Sequence, residues 1–268
     1  MRHFRWALLL SAALTSGACF QMATVVHVKG DASGTIDQRL VFSPAALAQM
    51  KQLAMLGGSN GQPVDPIPEA QARADAARLG PGATLLSSTP ITDGTGQGRA
   101  SVYAFTDINQ LRINPQPAPP GGVTVRADGL DSRGQAITFT LARTENGNAL
   151  LTVLVPLPAL PAEGLMSRDA GSTSPAQIAM LKQMFGGARV TIAVEPAGRL
   201  VHTSSPFVDG SRVTLLDVNL DQLLKDETFL PRIQAAKTAD EMKAILQEAP
   251  GLKINFDRAI TIEFTPGR

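Results

Sequence analysis

The chain has 268 residues, 24 basic and 23 acidic, with 10 Phe, one Trp, one Tyr and one Cys. A single cysteine excludes an intrachain disulfide. The balanced charge, with no Lys/Arg-rich run, speaks against a nucleic-acid partner, which needs a basic patch or stripe, and the scarcity of aromatic rings speaks against a stacking platform for sugars or bases. Stability must come from an aliphatic core, and about 250 residues suffice for one large or two small domains.

The first elements in chain order concern export. Residues 1–5 are basic, Trp6 to Leu14 are apolar and Thr15 to Ala18 are small. That is the order of a signal peptide, here 1–18. The apolar run is far short of the roughly 20 residues that span a bilayer. The lone Cys19 follows Ser16-Gly17-Ala18 directly. The segment resembles a bacterial lipoprotein signal, which implies cleavage before Cys19, acylation of its thiol (palmitate among the chains) and a membrane partner through that anchor. Each buried methylene contributes about 0.8 kcal/mol, and stable anchoring takes more than one chain. The alternative is ordinary small-x-small cleavage at the same place, leaving a soluble periplasmic protein. The same resemblance implies, from Phe20 rather than Asp after the cysteine, the outer membrane over the inner. Loss of residues 1–18 removes Arg2 and Arg5 and no acid, so the 24 basic residues fall to 22 against 23 acidic.

The remainder reads as α+β. Residues 20–28 and 35–42 form a hairpin about the turn "KGDASG". Ser43 caps a helix with Pro44 in its first turn, with Leu47, Met50, Leu53 and Ala54 as an apolar stripe and Gly57-Gly58 as its stop. A more polar, alanine-rich helix covers 69–80. Strands follow at 83–91 and 99–105, then a short helical turn in "TDINQLRI". Residues 114–122 are a Pro-rich linker. Strands at 123–127, 136–142 and 148–155 come next, the last two joined through Asn146-Gly147. A long loop, 156–173, leads to a second helix from Ser174-Pro175, with Gln177 placed for a capping box. Strands at 188–195, 199–204 and 211–220, helical pieces at 220–227 and 238–248, and a strand at 258–264 complete the chain.

An internal echo organises these elements. Residues 43–52 and 174–183 agree at Ser, Pro, two Ala, Lys and Gln, and both helices run into Gly-Gly. "FTDINQL" and "LLDVNLDQL" rhyme later in the same order. The expected architecture is a duplicated ββαββ-type unit, 19–113 and 123–268, each an antiparallel sheet with an amphipathic helix across one face. Grooves between helix and sheet are places where ligands bind. Leu47 and Met50 on the first helix, and Ile178, Leu181 and Phe185 on the second, are the candidate lining residues, with core packing as their competing role.

The segments "VHVKGDASGTIDQRLVF", "YAFTDINQL" and "EPAGRLVHTSSPFVDGSRVTLLDVNL" resemble parts of bacterial lipoproteins of the LppM-like group. The resemblance implies a lipid anchor, an αβ ectodomain and, as for some members, lipid binding.

Catalytic chemistry is hard to place. His27 and His202 are the histidines beyond the signal. A pair of His202 with Ser204 or Ser205 lacks a nucleophile elbow. Zinc would need clustered Cys or His. "DVNLD" at 217–221 opens like a calcium loop, but Gln222 and Thr228 stand where Gly and Glu are required; helix capping by Asp217 or Asn219 is the better reading. No cofactor is implied. The sequence thus points to a non-catalytic, lipid-anchored envelope protein that binds a lipid, an apolar ligand or an envelope partner. The alternatives are a scaffold lipoprotein without a ligand and a hydrolase with dispersed residues.

Overall fold

The structure, a computed structural model, describes residues 20–56, 65–94, 96–115, 136–156, 187–257 and 259–267, with backbone only at 49, 52–56, 234 and 239. Cys19, most of the Pro-rich segment, the strand expected at 123–127 and the second Ser-Pro helix with Ile178, Leu181 and Phe185 lie outside these residues.

The fold is α+β, built on two sheets. In chain order come β1 (Phe20–Val28), β2 (Gly34–Phe42), α1 (Pro44–Leu56), α2 (Glu69–Leu79), β3 (Thr84–Asp93) and β4 (Gly96–Phe105). Then follow a 3-10 turn (Ile108–Gln110), β5 (Arg112–Ile113), β6 (Ile137–Arg143), β7 (Ala149–Leu154), β8 (Arg189–Pro196) and β9 (Gly198–Thr203). The chain ends with β10 (Val208–Asp209), β11 (Arg212–Asn219), α3 (Leu220–Lys225), α4 (Phe229–Ala235), α5 (Ala239–Glu248), β12 (Leu252–Ile254) and β13 (Ala259–Pro266). Sheet A runs β10-β11-β8-β1-β2-β4-β3 with β12 on β11, and sheet B runs β5-β6-β7-β13-β9. Among the described residues all pairings are antiparallel except β1 with β8.

That exception ties the two halves of the chain together. Strands from both segments expected as αβ units share sheet A. A β1–β2 hairpin alone leaves the outer edge of β1 unpaired, and β8 occupies it, Gln21 opposite Arg189 through Val28 opposite Pro196. A parallel pair needs a long crossover, which the intervening chain supplies.

Alternation explains why both sheets have one wet face. On β1, Met22, Thr24, Val26 and Val28 are buried, while Gln21 and Ala23 are exposed. On sheet B, Ile137 and Phe139, Ala149, Leu151 and Val153, and Ile260, Ile262 and Phe264 are buried. Both apolar faces contribute to one continuous core. Among the described residues the apolar face of sheet B packs with that of sheet A, because two one-sided apolar faces satisfy each other. Each fully buried Val, Leu, Ile or Phe contributes about 1.5–3 kcal/mol relative to exposure. On sheet A, α2 adds Ala76 and Leu79 to the same core.

The chain passes between sheets at a tight corner. Only Ala197 separates β8 in sheet A from β9 in sheet B. Its N–H donates to Val28 O at 2.7 Å and its carbonyl accepts from Gly267 N at 2.9 Å. A Cβ on Gly198 would overlap Thr265 O, so glycine is required for close approach. Elsewhere the expected punctuation is present. Ser43 Oγ accepts from Ala46 N at 3.2 Å, and Gly147 occupies the hairpin turn at φ 80°. Thr238 Oγ1 accepts from Glu241 N at 3.1 Å at the start of α5.

The helices α3 to α5 form a small satellite core around Leu223, Phe229, Ile233, Leu246 and Ala249. The helix α4 is not expected from the sequence pattern. It is short and carries Pro231, which is tolerated because it falls in the first turn, where no intrahelical N–H partner is needed.

Candidate functional site

The helix α2 lies beside β3, an edge strand of sheet A, and an open groove of about 480 Å³ runs between them. Its apolar lining is Ala76, Ala77, Ala83, Leu85 and Leu86, and its polar lining is Glu69, Arg73, Thr84, Ser87 and Ser88. Small side chains make the space: a helix that carries alanine at 76 and 77 cannot fill the gap to its neighbour.

A β-bulge shapes the strand wall. Leu85 pairs with Tyr103 and Ser87 with Val102, leaving Leu86 as the inserted residue. A bulge kinks an edge strand and re-aims a side chain. Leu86 is 61% exposed, the most exposed large apolar side chain among the described residues. Pro90 farther along β3 is compatible with an edge position, since no ladder N–H is missed there.

Beneath the groove lies a buried cation. Arg99 on β4 is 6% exposed. Its Nε donates to Ile67 O at 2.5 Å, its Nη1 to Ser88 Oγ at 3.0 Å and its Nη2 to Asp65 Oδ2 at 2.8 Å. The guanidinium is satisfied within the fold, so it sets the floor through Ser88 and holds the segment leading into α2. At the rim, Arg73 Nη2 donates to Glu69 Oε1 at 2.6 Å. That bond, followed by the Arg73 charge, holds the Glu69 carboxyl below its ordinary range. The site is thus an open trough lined by five apolar and five polar residues, the Glu69–Arg73 ion pair among the latter.

Of the lining residues expected from the two Ser-Pro helices, Leu47 and Met50 are described, and they are not part of this groove's lining. Leu47 and Met50 are half-buried on α1, and the side chain of Ala54 lies outside the described residues, as do Ile178, Leu181, Phe185 and Cys19. The groove stands beside α2 rather than under α1. Its signals in the sequence were the alanines of 69–80 and the doubled leucine at 85–86, which breaks strand alternation.

Three of the polar residues considered for catalysis, His27, Ser204 and Ser205, have structural partners. His27 Nε2 lies 3.1 Å from Asp37 Oδ2 on the wet face of sheet A. His202 is exposed on β9, opposite Glu263. Ser204 Oγ accepts from Thr261 N at 3.0 Å, and Ser205 Oγ donates to Thr214 O at 3.3 Å. No group of three or more His, Cys, Asp or Glu is placed to hold a metal among the described residues.

The two Asp-x-Asn rhymes do different work. In the first, Asp107 caps the 3-10 turn through Asn109 N at 3.0 Å, and Asn109 Oδ1 accepts from Leu141 N of sheet B at 2.8 Å. In the second, Asn219 caps α3 through Gln222 N at 3.1 Å. Asp217 instead accepts from Arg189 Nε at 3.0 Å and Nη2 at 2.8 Å, and from Thr191 Oγ1 at 3.1 Å. The bond to Asp217 raises the pKa of Arg189.

No family model matches the chain, and no curated protein matches it. Among solved structures, the NMR structure of the folded domain of the Mycobacterium tuberculosis LppM protein aligns over 96% of this chain and 96% of that chain, with 9% identity and a TM-score of 0.34.

Proposed function

We propose that this chain is a lipid-anchored protein of the bacterial cell envelope whose ectodomain binds an apolar or amphiphilic molecule and performs no chemistry on it. The tether is Cys19, for which the preceding basic, apolar and small segments supply the support. No described helix is long and apolar enough to cross a membrane. The outer membrane is the favoured site, since Phe20 rather than Asp follows the cysteine.

The ligand part rests on one observation, the groove between α2 and β3. Its volume of about 480 Å³ falls within the ordinary range for small-molecule pockets, roughly 300–1,000 Å³. The exposed Leu86 and the alanines offer an acyl or similar chain an apolar surface. The hydroxyls of Ser87 and Ser88 and the Glu69–Arg73 pair suit a polar end. The ectodomain is assigned to binding on the strength of that groove.

Mass spectrometry of the chain purified without delipidation tests both parts. The expected result is an intact mass with acyl groups on Cys19 and a stoichiometric small molecule released on extraction. An unmodified Cys19 would remove the anchor, and an acylated chain with no released molecule would remove the ligand.

A further inference from the structure

The strand β1 begins at Phe20, the residue directly after Cys19. No linker separates the proposed tether from the folded body. Phe20 is already in register with Phe42 at the end of β2, and the two rings lie 6.4 Å apart. After Phe42 come Ser43, whose Oγ caps the next turn, and then Pro44, the first residue of α1. Paired strands are about 5 Å apart and each residue advances about 3.3 Å. The start of α1 therefore lies within roughly 12 Å of the Phe20 backbone, to which Cys19 is bonded.

The composition of α1 is unusual for a surface helix. In Pro44–Leu56 the only charged residue is Lys51, and there is no acid. By contrast, α2 carries Glu69, Arg73, Asp75 and Arg78 in a shorter span. A surface helix normally presents a charged face to water, and the α1 sequence offers only Lys51 with the uncharged Gln49 and Gln52. Yet none of the described side chains of α1 (44–48, 50 and 51) is buried, and Pro44, Ala48 and Lys51 are exposed. Their spacing puts these three on one face.

We propose that this face of α1 rests on the membrane that holds Cys19, as a second contact beside the acyl chains. The inference rests on the acylation of Cys19 proposed above. Acyl chains at Cys19 fix that end of sheet A at the lipid headgroups, where an interfacial helix lies. The Lys51 ammonium meets phosphate oxygens there, while its stem and Ala48 face the acyl boundary.

The single cysteine makes the test direct. Ala48→Cys and, separately, Ala142→Cys are made in the full-length chain, expressed in a host that processes lipoproteins. Both are labelled with an environment-sensitive thiol fluorophore and reconstituted into phosphatidylethanolamine–phosphatidylglycerol vesicles containing a chain-brominated lipid. Position 142 is exposed on β6, and its neighbour Arg143 donates to Gly30 O at 2.9 Å, at the far end of β1 from Phe20. One label per chain and several-fold stronger quenching at 48 than at 142 support the proposal. One label per chain with equal quenching overturns it and leaves the tether standing. Two labels per chain show Cys19 free and overturn the tether and this inference together. Pro44→Cys, on the same face, repeats the measurement should Ala48→Cys fail to fold.

Discussion

The Arg99 guanidinium meets the Asp65 carboxylate at 2.8 Å, fastening the segment before α2 to sheet A. The cation is buried at 7% side-chain exposure, while the acid, at 46%, is half in water. The two ends of this pair should therefore respond unequally to substitution. Asp65→Asn leaves Arg99 its bonds to Ile67 O and Ser88 Oγ, and should cost about 1 kcal/mol. Arg99→Ala removes all three bonds and leaves a void under the groove; it should cost about 2–4 kcal/mol. Urea denaturation of both variants checks the order.

Leu86 separates ligand binding from stability. At 61% exposure it contributes little to the core. Leu86→Asp should leave stability within about 0.5 kcal/mol of the parent, yet place a charge in the trough. The expected outcome is an unchanged urea midpoint and loss of the co-purified molecule from the extract. Retention of that molecule at parent stoichiometry would move the binding site away from this groove.

Tyr103 provides a spectroscopic handle on alkaline stability. It is the one tyrosine of the chain and is 1% exposed. Burial raises its pKa, with a hydrogen bond to Ser101 acting in the opposite direction. The folded state thus favours the neutral phenol more than the unfolded state does. Its contribution is fully present below the ordinary tyrosine pKa of about 10 and is lost as pH rises through the folded value. Phenolate absorbance should appear later than for free tyrosine and together with loss of sheet circular dichroism. Tyr103→Phe should extend the folded range upward in pH.

Gly198 tests the corner between sheets. A methyl group there would overlap backbone at Thr265 O and crowd Gly267 N, 2.9 Å away. Backbone cannot retreat like a side-chain tip, so Gly198→Ala should cost more than about 1 kcal/mol. Gly210, at φ 61° with nothing within 4 Å of its Cβ position, should accept Asn with little loss, since Asn tolerates the left-handed region. Thermal melts of the two variants make the comparison.

Local features were legible because their causes are local. The β-branched residues of 20–28, alternation in 35–42, the Ser43 cap and the Asn146-Gly147 turn each depend on a few adjacent residues, and the structure places all of them as expected. The helix α4 was not legible, since Pro231 in a seven-residue helix masks its periodicity. The groove was half legible: α2 and β3 are both readable from their own residues, but nothing in either segment states that they lie side by side.

The amino-acid order by itself determined the longer described strands and the helices α1 and α2, which of their faces are apolar, and the single thiol set before the first strand. Tertiary structure decided the rest. It paired β1 with β8 across the length of the chain, turned β8 into β9 at Ala197, set one sheet over the other and buried Arg99 beneath the groove. The physical reason is that periodicity records which face of an element avoids water, whereas the choice of partner depends on shape and hydrogen-bond complementarity between residues far apart in the chain.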